Sequence, residues 1–454
     1  MTGGAPSLGF GRIVAYGFGD FGFNLFYTGL NLYLLFYYTD VLGIAPVTAG
    51  LIFMAPVVWD AVTDPVMGAI ATRTHSRWGR YRPWILFGAP LMCLSFVGMF
   101  AAPLLFPGAV VVAALVSHLV FRTAYTVVSI PYGALSAAMT RDGGERSKLA
   151  GARMVCAIGG GVLTAFATLQ LATTFGAGDL ARGFVTVTAL YSGLAFAIML
   201  LLFATTREDV VPGPRAAPLT TRETWYFLKR NSAFWLLFAA VFCGAFGSSI
   251  ASKALVYYLT YVAGDARLVP MLLTLSLLAT GLAVPLWAAA AQRFSKRDLW
   301  VVGALAAAAC QGALLTLRPT DFATLSALIA AAGVANAAFI TMFWAMLPDT
   351  VEFGQWRSGV RDEGVVFGLN QLALKAASGF GVGLLGVLLG AIGYVANAAQ
   401  TPDTSTGLAW LSFGVPLVGA LASAAFIAAS PLTRARHDTL VKWLNRPRPT
   451  ETYL

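Results

Sequence analysis

Trp59-Asp60-Ala61-Val62-Thr63-Asp64-Pro65 places two carboxylates inside an apolar run that extends from about Val47 to Ala71. Asp60 and Asp64 are four residues apart, so on a helix their side chains share one face about one turn apart and can hold one ligand between them. An acid at mid-bilayer costs upward of roughly 2.5 kcal/mol and is by default a functional group, often part of a cation or proton relay. One buried arginine could neutralise one Asp as a structural ion pair. Two adjacent acids point instead to a site that takes up and releases positive charge.

The rest of the chain is of the same kind. Of its 454 residues 58% are hydrophobic and 11% charged, whereas about 25% are charged in soluble domains. It is therefore read as a polytopic membrane protein. Runs of spanning length fall at about 12–39, 46–72, 83–105, 108–137, 148–175, 183–205, 232–262, 268–292, 299–317, 321–347, 364–392 and 406–430, which predicts an all-α fold of twelve transmembrane helices. Only Arg12 precedes the first run and no small-residue cleavage site follows it, so the run reads as a retained helix rather than a signal peptide.

On these spans nearly all the loop arginines and lysines fall on one side, with only Arg182, Arg267 and Arg318 opposite. The positive-inside rule then puts both termini in the cytoplasm and the protein in the cytoplasmic (inner) membrane. The net charge of +10 is spread over short loops rather than gathered on one face, which excludes a nucleic-acid partner. Cys93, Cys156, Cys243 and Cys310 all lie inside spans at no metal-ligand spacing and read as packing residues.

In the first span Asp20, Asn24 and Tyr27 follow an i, i+4, i+7 pattern and form one polar stripe, which serves either a wet cavity or hydrogen bonding between helices. The fourth span carries His118, Arg122, Tyr125, Thr126 and Ser129 on one face. Arg122 lies too deep to snorkel and should pair with Asp20, Asp60, Asp64 or an anionic ligand. The basic loop 73–82 anchors topology and offers arginines for gating.

The long polar connection from Thr205 to Arg230 holds Pro212, Pro214 and Pro218 and divides the chain into an N-terminal bundle (1–205), a central cytoplasmic loop (206–231), a C-terminal bundle (232–430) and a tail (431–454). A repeat supports two six-helix bundles. Tyr37-Tyr38-Thr39-Asp40-Val41 ends the first span and Tyr258-Leu259-Thr260-Tyr261-Val262 ends the seventh, 221 positions later. Parallel repeats of this kind place a substrate at the midplane between halves. In the second half Lys253 points either to the centre or outward along its stem. Trp344 is either a packing aromatic or a sugar platform, and Asn370, Gln371 and Lys375 ride on the eleventh span.

These segments resemble the glycoside-pentoside-hexuronide:cation symporter family, the melibiose-carrier branch of the major facilitator superfamily. The resemblance is carried by Tyr16-Gly17-Phe18-Gly19-Asp20, Tyr37-Tyr38-Thr39-Asp40, Trp59-Asp60-Ala61 with Asp64-Pro65, and Arg77-Trp78-Gly79-Arg80-Tyr81-Arg82-Pro83-Trp84. It continues through Ile130-Pro131-Tyr132, Glu145-Arg146 with Arg153, and Pro348-Asp349-Thr350-Val351-Glu352-Phe353-Gly354 followed by Arg361. It implies a coupling-cation site at Asp60, Thr63, Asp64 and Thr126, for H+ or Na+, and sugar-site positions at Asn24, Ser129, Gly133, Arg153, Trp344, Asn370 and Lys375.

Where melibiose carriers have carboxylates this chain has Asn24 and Ser129, and where they have a tryptophan it has Gly133. Arg122, Arg153 and Lys375 then suit an anionic ligand such as a uronide, an expectation held evenly against a neutral sugar. Arg141, Asp142, Glu145, Arg146, Asp349, Glu352 and Arg361 flank helix ends that should exchange ion pairs as a gate.

The expected function is symport of a sugar, glycoside or uronide, with an amphiphilic lipid or other organic solute as the alternative cargo. No cofactor or structural metal is expected beyond a coupling ion, with Na+ at Asp60 and Asp64 as one option. The expected partners are the small-molecule substrate and membrane lipid, with the chain acting as a monomer. An enzyme is not expected, because His75, His118 and His437 supply no nucleophile-base pair or metal cluster.

Overall fold

The computed structural model describes residues 8–140, 142–208 and 220–444. Arg141, Arg215, Arg446 and Arg448 lie outside the described residues. Every regular element within them is a helix: α1 (Phe10–Phe36), α2 (Pro46–Arg73), α3 (Arg82–Leu105), α4 (Val110–Met139), α5 (Gly143–Gly176), α6 (Leu180–Thr205), α7 (Thr221–Arg230), α8 (Ser232–Tyr261), α9 (Leu268–Arg293), α10 (Lys296–Leu317), α11 (Phe322–Ser358), α12 (Glu363–Ala391), α13 (Pro402–Ala409), α14 (Val415–Ala428) and α15 (Arg434–Leu444). Five-residue π turns, Tyr37–Val41 and Trp410–Gly414, widen the end of α1 and join α13 to α14. Eleven segments are long and apolar enough to cross a membrane, with Pro402–Ala428 counted as one. The twelfth span is α1, whose apolarity is lowered by Asp20, Asn24 and Asn31.

Two boundaries differ from the sequence expectation because hydropathy marks the lipid-crossing part of a helix and not its end. The tenth span was expected to stop near 347, where Pro348-Asp349 begins a polar stretch. Instead α11 continues to Ser358, burying Asp349, Thr350, Val351, Phe353 and Gly354. The central connection contains α7, started by a capping box in which Thr220 Oγ1 accepts from the Glu223 amide and the Glu223 carboxylate accepts from the Thr220 amide. Its Phe227 and Leu228 are buried and α7 packs on α11, so this stretch is a docked helix rather than an open loop.

The helix pairings repeat between halves. In the first half α1 packs on α5 and α6, α3 on α4 and α6, and α2 on α4. In the second half α8 packs on α12 and α14, α10 on α11 and α14, and α9 on α11. Each of these contacts recurs under the correspondence of α1 with α8, α2 with α9, α3 with α10, α4 with α11, α5 with α12 and α6 with α14, whereas the α5–α6 contact of the first half has no comparable counterpart between α12 and α14 among the described residues. The two main seams between halves, α2 on α12 and α5 on α9, exchange with one another under it. That is the signature of two parallel six-helix bundles about a pseudo-two-fold axis along the membrane normal.

The α2–α12 seam is built from small residues so that backbones approach. A Cβ added at Gly386 would stand 2.4 Å from the Pro46 carbonyl oxygen and 2.8 Å from Gly50 Cα. Gly386→Val is therefore expected to destabilise this arrangement by about 1–3 kcal/mol, the usual cost of overpacking. A lowered thermal unfolding midpoint of the purified protein is the readout, and an unchanged midpoint would mean the seam yields without strain.

Candidate site in the central cavity

Between the halves lies a cavity of about 870 Å³. The Asp60–Asp64 face of α2 and the His118–Arg122–Thr126–Ser129 face of α4 both line it, as their helical spacing predicts, together with Tyr27 of α1, Lys253 of α8, and Gln371 and Lys375 of α12. A smaller pocket of about 290 Å³, lined by Asp20, Asn24, Tyr27, Tyr125, Ser129, Tyr132 and Arg153, shares Tyr27, Tyr125 and Ser129 with it.

Three ion pairs organise these surfaces. Asp60, whose side chain is 2% exposed, pairs with Arg122, which settles the partner that the depth of Arg122 demanded. Asp64 pairs with Lys375 across the seam and accepts from Thr126 Oγ1 at 2.8 Å, while Lys375 Nζ also stands 3.9 Å from Asp60 Oδ2. One ammonium thus sits against both acids, as a bound cation would. Arg153 holds Asp20 through two nitrogens, Tyr132 donates to the same carboxylate at 3.0 Å, and the guanidinium lies 5.0 Å from the Tyr132 ring centroid. Asn24 donates to the Asp20 carbonyl at 2.9 Å.

Not every expected residue reaches the cavity. Thr63 donates back to the Trp59 carbonyl at 3.1 Å and does not line it; the α2 stripe that does runs through Phe53, Pro56, Val57, Asp60 and Asp64. Trp344 is 42% exposed against Phe343 and lines neither pocket. Asn370 is buried, donating to the Val366 carbonyl at 3.0 Å, and its neighbour Gln371 faces the cavity instead. Asn31, Ser248, Ser249, Ser252, Gln311 and Asn336 also line it and carried no sequence signal, since neutral polar residues are common between membrane helices.

The expected gate residues other than Arg141, which lies outside the described residues, are found at the end of the bundle that carries Leu8 and α15, here the basic face, and the contacts each makes among the described residues stay within its own half. Asp142 caps α5 by accepting from the Glu145 amide at 2.8 Å, Glu145 meets Lys148 at 2.9 Å, and Arg146 donates to the Thr140 carbonyl at 3.1 Å. Asp349 meets Lys296 at 2.7 Å, Glu352 meets His437 of α15 at 2.8 Å, and Arg361 donates to Glu363. Asp349, Glu352 and His437 offer ligand atoms within 4.8 Å of one another, but the Lys296 ammonium already serves Asp349 there, so the cluster reads as ion pairs rather than a metal site.

At the opposite face the halves are joined. Asp40, at the end of α1, accepts from Tyr261 at the end of α8 and from Tyr394 at 2.6 Å. Asn397 donates to its carbonyl at 2.8 Å, and Thr39 and Tyr257 hydroxyls meet at 2.9 Å.

Two six-helix bundles, joined at one face around a charged central cavity, define a secondary transporter of the major facilitator fold. A family model for MFS/sugar transport proteins matches residues 15–434. The chain is 31% identical over 420 residues to the inner membrane symporter YicJ of Escherichia coli, covering 90% of this chain and 89% of that one. It is 29% identical to the glucuronide carrier protein homolog of the same bacterium, with 97% of each chain covered. The crystal structure of a bacterial homologue of the human lysosomal transporter Spinster superposes with a TM-score of 0.70 at 14% identity, over 95% of this chain and 97% of that one. The chain belongs to the MFS/sugar transport protein family; it is a membrane transporter and not an enzyme.

Proposed function

We propose that this protein is a cation-coupled symporter for a sugar, glycoside or uronide, working by alternating access as a monomer in the cytoplasmic membrane with its basic face inside. The observation that carries this reading is the bond from Lys375 of one half to Asp64 of the other, with the same ammonium 3.9 Å from Asp60. A cation arriving at the acids displaces Lys375 and breaks a link between halves, which makes reorientation conditional on the ion.

A proton on Asp64 fits best. Asp60 is already taken by the Arg122 guanidinium, and Na+ would need several oxygens beside a guanidinium and an ammonium that repel it. In proteoliposomes an imposed pH gradient should drive accumulation without sodium; accumulation that requires a sodium gradient overturns the choice of ion.

Apolar side chains make up most of the cavity wall, and the hydroxyls and amides set among them supply the partners that a polyhydroxylated cargo needs and a lipid does not. The relatives include a glucuronide carrier homolog and an isoprimeverose transporter, so both anionic and neutral glycosides stand as cargo classes. Counterflow with neutral glycosides, uronides and a lysolipid tests this: exchange of a glycoside or uronide is expected, and exchange of the lysolipid alone would replace the reading with lipid transport.

For gating, Arg141, Asp142, Glu145 and Arg146 are proposed to meet Asp349, Glu352 and Arg361 across the basic face when it closes. Alkylation of cysteines introduced at 142 and 361 should slow under conditions that close this face. Rates that never vary would remove the gate.

A further inference from the structure

Arg122, Arg153 and Lys375, the cations expected to receive an acidic cargo, are each bonded to a carboxylate of the protein itself. Lys253 is not. It lines the cavity, is 2% exposed, and has no carboxylate within 4.0 Å of its ammonium among the described residues. Its contacts are Asn31 Oδ1 at 3.5 Å and the Ser249 carbonyl at 3.4 Å, both at the outer limit of a hydrogen bond, and the Phe53 ring at 5.6 Å. A lysine ammonium has three donors and is strongly hydrated in water, so these neighbours leave most of its demand unmet. An anion beside this enclosed amine would supply the counter-charge that its neighbours lack. Asn31 belongs to α1 and Lys253 to α8, so a group bound between them touches both halves.

We propose that Lys253 is the cationic contact for an anionic group of the cargo, a carboxylate or sulfonate; that the group is carried on a sugar rests on the reading of the cavity given above. The anion lies against Lys253, with the Ser252 hydroxyl and the Asn31 side chain beside it, near Phe53, about two turns of α2 from Asp60. The sugar hydroxyls extend towards Tyr27, Ser129 and Gln371.

The test uses the purified full-length protein and three probes: methyl glucuronide, methyl glucoside, which differs from it only at the terminal carbon, and 2-hydroxyethanesulfonate. Binding is measured for the parent, Lys253→Met, Lys253→Gln and Lys253→Arg, each checked for a monodisperse fold. The parent should prefer the glucuronide. Both neutral substitutions should weaken it on the order of ten- to a hundredfold, the span expected for a charge-assisted hydrogen bond. The arginine variant should retain most of the affinity, and the glucoside should bind all forms alike. Preference of the parent for the glucoside, or equal loss of both glycosides in Lys253→Met, overturns the proposal and leaves the sugar reading standing. Binding of the sulfonate alone, lost in Lys253→Met, upholds the anion contact and removes the sugar. Binding of none of the three overturns both.

Discussion

Asp60→Asn is expected to abolish uphill accumulation in vesicles while downhill exchange persists. In the parent Asp60 occupies Arg122 and shares Lys375 with Asp64. Asparagine at 60 frees a guanidinium one helix away from Asp64, where it can pair with that carboxylate and compete with the driving cation for it. The same change leaves a buried arginine without its counter-charge, which typically costs about 3–5 kcal/mol of stability. Pairing it with Arg122→Gln should recover most of the stability but not the accumulation, because the shared acid is still missing. The two readouts are thermal unfolding and the steady-state accumulation ratio. Accumulation that survives in Asp60→Asn would remove Asp60 from the coupling machinery, and a double variant as unstable as the single would mean that the pair does not set the cost.

The second large effect is expected at the closed face. The Asp40 carboxylate takes hydrogen bonds from Tyr261 and Tyr394 of the other half, and bonds to a charged acceptor contribute about 1.5–3 kcal/mol each. Asp40→Ala removes both, which should shift the population towards the state open at that face by tenfold or more. With the four native cysteines replaced, a membrane-impermeant thiol reagent added at that face should label Ser252→Cys in the cavity faster by a similar factor. Labelling no faster than in the Asp40 parent would mean that the seams alone keep the face shut.

The twelve spans, the parallel repeat and the inward faces of α2 and α4 were legible in the sequence, because lipid imposes long apolar runs and a helix fixes which residues share a side. The Asp40 junction was present as the repeat itself. Asp40 and Tyr261 occupy equivalent positions 221 apart, and residues related by an axis meet when they lie close to it. Reading the offset as a contact as well as a duplication would have found it. Trp344, Asn370 and Thr63 were placed at the site by family resemblance, and resemblance does not report the rotation of a helix about its own axis. Lys253 was undecidable from sequence, since a stem reaching outward and one turned inward have the same neighbours in the chain. The inward choice follows from packing against Phe53 and Asn31.

The three carboxylates facing the two pockets are each balanced by a cation of the protein, while Lys253 adds a cation with no carboxylate beside it among the described residues. Over a complete cycle all of these groups return to where they began, so the net charge that crosses the membrane is that of the cargo and its coupling ion. A neutral glycoside accompanied by a proton carries one elementary charge, and each 100 mV of membrane potential then contributes about 2.3 kcal/mol to its accumulation. A uronide accompanied by a proton carries none, so voltage gives it nothing and only the pH difference drives it. The current recorded from a bilayer containing this protein would therefore distinguish the two cargo classes without any knowledge of which sugar is moving.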